Sequence, residues 1–255
     1  MTGRMRVGTA LVAGLLGFAA QASAQIPGMP LFTNPRYGTG IRVHADLGQP
    51  TDAGTGVGDL TVVQGGVTFA LGPLGIGANV GTNLRRAQSL GAGGTLDQND
   101  NFTGSAIVQL RLLGGGRNPL ALSVFGGASA DITATEVAAQ SANIKYPRYM
   151  NFPVGAAVGF HVPLVITSLN FWGSGRMLFG KFVNCPSTNP VIGGQTIDLR
   201  SMCEGTDKNF RWAVGVDLPI FSIISVRAAY DGGKMGDQTF NSWGLGASIG
   251  IGGMR

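Results

Sequence analysis

Hydrophobic and polar residues alternate one for one through ten stretches of this chain. Near 101–113, Phe102, Ala106, Val108, Leu110 and Leu112 fall on one side of an extended backbone, with Thr103, Ser105, Gln109 and Arg111 on the other. Successive side chains of a strand point to opposite faces, so a period of two predicts a strand with one apolar and one polar face. Ile41, Val43, Ala45 and Leu47 oppose Arg42, His44 and Asp46 in the same way, and Phe210, Trp212, Val214, Val216 and Leu218 oppose Arg211, Ala213, Gly215 and Asp217. The predicted strands lie near 37–48, 60–71, 74–84, 101–113, 119–131, 152–162, 166–179, 210–218, 222–231 and 242–252. Each is long enough to cross a bilayer, which takes about 9–11 residues at the usual tilt.

The links between these strands alternate in length. Pro73, Pro119, Pro163 and Pro219 each sit in a very short connection, whereas 49–59, 85–100, 132–151, 180–209 and 232–241 are long, polar and glycine-rich. Tight turns on one side and long loops on the other are the pattern of a membrane-spanning β-barrel. The fold class expected is therefore all-β: an antiparallel up-and-down transmembrane β-barrel of ten strands, eight or twelve being the alternative counts. An unpaired backbone group costs several kcal/mol in hydrocarbon, so the first and last strands should pair and close the sheet. A ten-stranded bore is narrow and should be largely filled by side chains.

A soluble sandwich or lipocalin-like fold also alternates, but it turns its apolar face inward. Two features favour the membrane. The polar face is rich in Gly, Ser and Ala, as a narrow lumen would be. The apolar face carries Phe102, Phe152, Phe179, Phe210, Trp212, Tyr230 and Trp243 near the loop-side ends, the position of a headgroup-level aromatic girdle. The opposite rim is thinner, with Tyr37, Phe160 and Phe221, and Trp172 stands on the polar face, outside this pattern.

Composition agrees. Charged residues are 12% of the 255, against roughly 25% in soluble domains, and glycine is abundant at 43 residues. The start, MTGRMR followed by VGTALVAGLLGFAA and Ala22-Ser23-Ala24, has the layout of a signal peptide, expected over 1–24; a retained anchor helix is the alternative. Residues 25–36 would then be an N-terminal periplasmic segment and 37–252 a single barrel domain. Without Arg4 and Arg6 the formal charge falls from +5 to +3. No Lys/Arg cluster is interleaved with aromatics, so no nucleic-acid partner is expected.

With signal peptide, alternating strands, alternating links and girdle in place, the chain resembles the small outer-membrane β-barrel proteins of Gram-negative bacteria, the class holding OmpA-like, OmpW-like and opacity-type barrels. The resemblance spans 37–252 and marks no subfamily. It implies the bacterial outer membrane as location, outer-membrane lipid as solvent, and the barrel-assembly machinery and periplasmic chaperones as partners. Such barrels usually end on an aromatic residue; this chain ends Ile251-Gly252-Gly253-Met254-Arg255.

Chemistry is sparse. Cys185 and Cys203 share the longest loop and are expected to form a disulfide, with a metal pair as the alternative. Gly246-Ala247-Ser248-Ile249-Gly250 matches a nucleophile elbow but has no following helix and no downstream His. Gly175 to Lys181 nearly matches a P-loop, with Phe182 where Ser or Thr is required. No catalytic, cofactor or metal residues are assigned. The charges expected in the lumen are Arg42, His44, Asp46, Arg111, Asp131, His161, Arg176, Arg211, Asp217, Arg227 and Asp231. His44, Asp46, Asp131, Arg176, Arg211 and Asp231 fall toward the loop end, and Arg111, His161 and Asp217 toward the turn end. They serve either as ion pairs packing the bore or as a constriction for small solutes. The function expected is a non-catalytic barrel, structural or binding an unknown extracellular ligand through its loops. A narrow channel for small polar solutes is the alternative, and an omptin-like hydrolase built on His44 with Asp46 or Asp231 a remoter one.

Overall fold

The computed structural model describes residues 34–51, 60–85, 88–89, 95–98, 101–115, 118–134, 136–139, 142–165, 167–189, 191–192, 195–196, 198–221, 223–235, 238–239 and 241–251. The stretch read as a signal peptide, 1–24, and the last four residues lie outside them. Ten long strands build the fold: β1 (Gly40–Pro50), β2 (Leu60–Leu71), β3 (Leu74–Arg85), β4 (Asn101–Gly115), β5 (Asn118–Asp131), β6 (Arg148–Pro163), β7 (Ser168–Val183), β8 (Asp207–Pro219), β9 (Ile224–Met235) and β10 (Ser242–Ile251). Each pairs antiparallel with the next, and β1 pairs with β10 from Ile41↔Ile251 to Pro50↔Ser242. The predicted closure is observed. No edge is left among these strands, which is what hydrocarbon requires of a sheet.

Burial alternates with the sequence pattern, in the sense opposite to a soluble protein. Val43, Val67, Ile76, Val108, Val124, Val158, Phe171, Val214 and Leu245 are exposed on nine of the ten strands, while Asp46, Gln64, Gln109, Arg176, Arg211 and Asp231 on the other face are buried. Water would be a poor solvent for such a wall, since exposed apolar area costs about 25 cal/mol per Å². This is the class of transmembrane β-barrels: closed, antiparallel, apolar outside and polar inside.

The structure departs from the sequence reading in four places. The first strand starts at Gly40, and residues 34–39 sit inside the turn-side mouth instead of beginning the wall. Tyr37, expected on the thin outer rim, is accordingly buried inside, its hydroxyl donating to the Pro73 carbonyl. The 85–100 and 132–151 loops are not plain coil: the short strands Gln88–Ser89, Thr95–Gln98, Glu136–Ala139 and Ala142–Lys145 join into one four-stranded sheet above the barrel. The 232–241 link is tighter than expected, because β9 runs on to Met235 and pairs back through Lys234↔Thr239.

Candidate functional site

The wall's carboxylates and most of its arginines gather in the lumen, because every strand turns its polar face there. At the loop-side end, Arg176 of β7 donates from one nitrogen to both oxygens of Asp231 on β9, at 2.9 and 2.8 Å. Arg211 of β8, which faces Arg176 in register, reaches the same carboxylate at 3.0 Å. Arg176 is 1% exposed and Asp231 0%. Asp131, also at this end, accepts from the Tyr149 amide at 3.0 Å.

A second cluster occupies mid-height. Asp46 accepts from Arg227 Nε at 2.9 Å and from Gln64 at 3.3 Å. His44 was expected toward the loop end, yet at the fifth position of β1 it stands midway, 2.9 Å from Asn79 Oδ1. Asn79 passes the bond on to Ser105 at 3.1 Å. The His44–Asn79 contact spans the strand between them, and only glycine at position 66 leaves room. A Cβ there would strike Asn79 Oδ1, the Ala78 carbonyl and the imidazole. His44 Nε2 lies 3.9 Å from Asp46 Oδ2, an ion-pair distance only if the ring is protonated and too long for a hydrogen bond.

The turn-side end holds Arg42, Arg111, His161 and Asp217 around a cavity of about 270 Å³, closed on one side by Asn34, Arg36, Tyr37 and Gly38. The inserted segment is tied down at several points. Asn34 donates to Asp217, Arg36 to the Asn118 carbonyl, and Arg111 donates to the Tyr37 carbonyl at 3.1 Å while lying over its ring. His161 Nδ1 is 2.8 Å from Asn170 Oδ1. Trp172, which the outer girdle could not account for, packs inside. Its indole nitrogen donates to Asp217 at 3.4 Å, and the ring lies where a Cβ of residue 215 would stand, so Gly215 makes its place.

All eleven predicted lumen charges therefore point inward, in three groups at different heights. The girdle residues Phe102, Phe152, Phe179, Phe210, Trp212, Tyr230 and Trp243 occupy outward positions near the loop side; Phe152 faces Phe179 and Tyr230 faces Trp243 across strand pairs. Cys185 and Cys203 form a disulfide with Cα atoms 6.3 Å apart. In the same loop, exposed Asp198 is held below the usual carboxylate range by hydrogen bonds from the Ser201 amide and Asn189. Sequence reasoning placed Gln109 and Asn79 on the polar face but assigned no bonding role to them or to Gln64, Ser123, Ser129 and Asn151, which bond the lumen together. Their signal was present: each sits at a polar-face position of the same period. It also missed two apolar patches inside, Ile107–Phe125–Ala157 and Trp172–Ala213–Ala229. Among the described residues no group of His, Cys, Asp and Glu is arranged for a metal.

No protein-family model matches the chain, and no curated protein does. Solved structures similar to it include the transport unit of the autotransporter AIDA-I from Escherichia coli, with 12% identity, 94% of this chain and 97% of that one covered, and a TM-score of 0.46. The translocator domain of autotransporter NalP from Neisseria meningitidis gives 16%, 96%, 98% and 0.43. The N-terminal β-barrel domain of Pseudomonas aeruginosa OprF gives 10%, 84%, 99% and 0.34. At these values the barrel assignment rests on the strand pairings of this chain itself.

Proposed function

We propose that this chain is an integral protein of a bacterial outer membrane whose barrel is a filled, non-conducting support, and whose loops bind a ligand at the cell surface. One observation carries the reading: the loop-side charges, with His44 and Asp46 at mid-height, are buried among polar partners, and the cavity lined by charges lies at the turn-side end. A pore wall shows its charges to solvent, whereas here His44, Asp46, Asp131, Arg176, Arg211 and Asp231 are each 4% exposed or less. Residues 34–39 add a plug at the turn-side mouth.

The loops support the second half. Two of them contribute short strands to a common sheet and a third is closed by the disulfide, which holds their described parts in place for presentation. A hydrolase reading finds no reachable acid–base pair, because His44 is engaged with Asn79, and Asp46 and Asp231 with arginines. Outer-membrane lipid, the assembly machinery and periplasmic chaperones are the partners this reading implies.

Planar-bilayer recording of the refolded chain tests the closed bore. Leak alone is expected; discrete single-channel steps would replace this reading with that of a narrow channel.

A further inference from the structure

Among the described strand positions, the outward face carries four charged residues, and all are positive: Arg148 on β6, Lys181 on β7, Lys208 on β8 and Lys234 on β9. No Asp or Glu shares that face; the nearest carboxylate on these strands, Asp207, is at an inward position. The other six strands have no outward charge at all. The four cations thus occupy one continuous flank.

Register makes them a row. Lys181 faces Met150 and Phe179 faces Lys208, so Arg148, Lys181 and Lys208 are successive diagonal neighbours. Arg211 faces Gly233, which puts Lys234 across from Phe210 and diagonal to Lys208. Same-face diagonal neighbours stand about 7–8 Å apart. Each step moves two residues toward the turn side. The strand ends stagger in that sense too, β8 starting at Asp207 and β9 ending at Met235, so the row follows the rim.

An aromatic ring lies beneath each cation on the same strand face: Phe152 below Arg148, Phe179 below Lys181, Phe210 below Lys208 and Tyr230 below Lys234. Phe179 and Phe210 lie two residues from their cations, a drop of about 5 Å on a tilted strand, and Phe152 and Tyr230 lie four residues away, about 10 Å. Aromatic belts mark the headgroup boundary, so the cations stand at the depth of the headgroup charges. Among the described residues the ammonium groups of the three lysines make no hydrogen bond or ion pair. Arg148 donates to the Ile132 carbonyl and pairs with no carboxylate among the described residues.

We propose that the β6–β9 flank is a docking site for phosphate-bearing lipid headgroups of the loop-side leaflet, with Lys181, Lys208 and Lys234 as phosphate ligands and the aromatic rings seating the chains. The site rests on the membrane placement proposed above. An approaching acidic protein would need the charges on the loops; here they lie on the wall, flush with the belt, where lipid is the neighbour.

Insertion into phosphatidylcholine vesicles, read by a heat-modifiable band and protease protection, comes first. Native mass spectrometry then counts lipids kept from an equimolar mixture of phosphatidylglycerol and phosphatidylcholine. The wild-type chain should retain the phosphatidylglycerol preferentially by about tenfold or more, as roughly 1 kcal/mol per basic residue implies. The K181Q/K208Q/K234Q variant should insert normally and retain the two lipids alike, and R200Q should match wild type. Equal retention by the wild type, or unchanged preference in the triple variant, overturns the docking site while leaving the barrel intact. Failure to insert at all overturns the membrane placement and this site with it.

Discussion

Arg227 faces Asp217 in register yet bonds Asp46, two strands away, at 2.8–2.9 Å. That choice organises the interior. Asp217 is freed to accept from Asn34 and Trp172, which fixes the inserted N-terminal segment, and the Arg227–Asp46 pair clips β9 to β1 at mid-height. Bridging non-adjacent strands ties β9 to β1 over β10, a span that ladder hydrogen bonds do not reach.

Removing the shared carboxylate at the loop end takes an ion-pair partner from two buried guanidinium groups. Asp231→Asn should therefore destabilise the barrel by about 3–5 kcal/mol, the range for breaking a buried pair. Urea unfolding in lipid, followed by tryptophan fluorescence, measures it. A shift under about 1 kcal/mol, as for exposed pairs, would show that the arginines reach water.

Trp172 and Gly215 are a matched pair. Gly215→Ala would drive a Cβ into the indole and should cost about 1–3 kcal/mol through overpacking. Gly173→Ala is the contrast, since its Cβ meets nothing nearer than 3.8 Å and should be tolerated. Equal effects in the same unfolding assay would contradict the lumenal seat of Trp172.

The disulfide belongs to the loop, not the wall. Cys185→Ser opens an 18-residue separation that a chain-entropy estimate values at about 3 kcal/mol of loop restraint. Faster protease cleavage between β7 and β8 is expected, with the heat-modifiable band unchanged. Loss of the band would show that the loop props the barrel.

Tyr37 anchors residues 34–39. Tyr37→Ala removes its hydrogen bond to Pro73 and the ring under Arg111, so trypsin should cut after Arg36 faster than in wild type. An unchanged cleavage rate would mean the other ties suffice.

How much of this was legible in the sequence follows from what a period of two contains. Parity told which residues face inward, so Arg42 to Asp46 and the girdle could be read without coordinates. Strand position told approximate height, enough for Arg176, Arg211 and Asp231 at the loop end and His161 at the turn end. Partners were not legible, because register decides which heights meet on neighbouring strands; thus Arg227 with Asp46 over β10, and His44 with Asn79 over Gly66, came only from the structure. Residues 34–39 escaped because Tyr37 extends the alternation of β1 by chance, while its hydroxyl finds a carbonyl inside. The sheet joining two loops escaped because its strands are two to four residues long, too short for periodicity to show.

The central claim is that the apolar wall touches lipid. Spin labels at Leu245, Ala247 and Ile249, successive outward positions on β10, test it by accessibility to dissolved oxygen and to a water-soluble nickel chelate in reconstituted vesicles. The account predicts high oxygen and low nickel accessibility at all three. Nickel accessibility there equal to that of a label at the exposed loop residue Ser187 would contradict it.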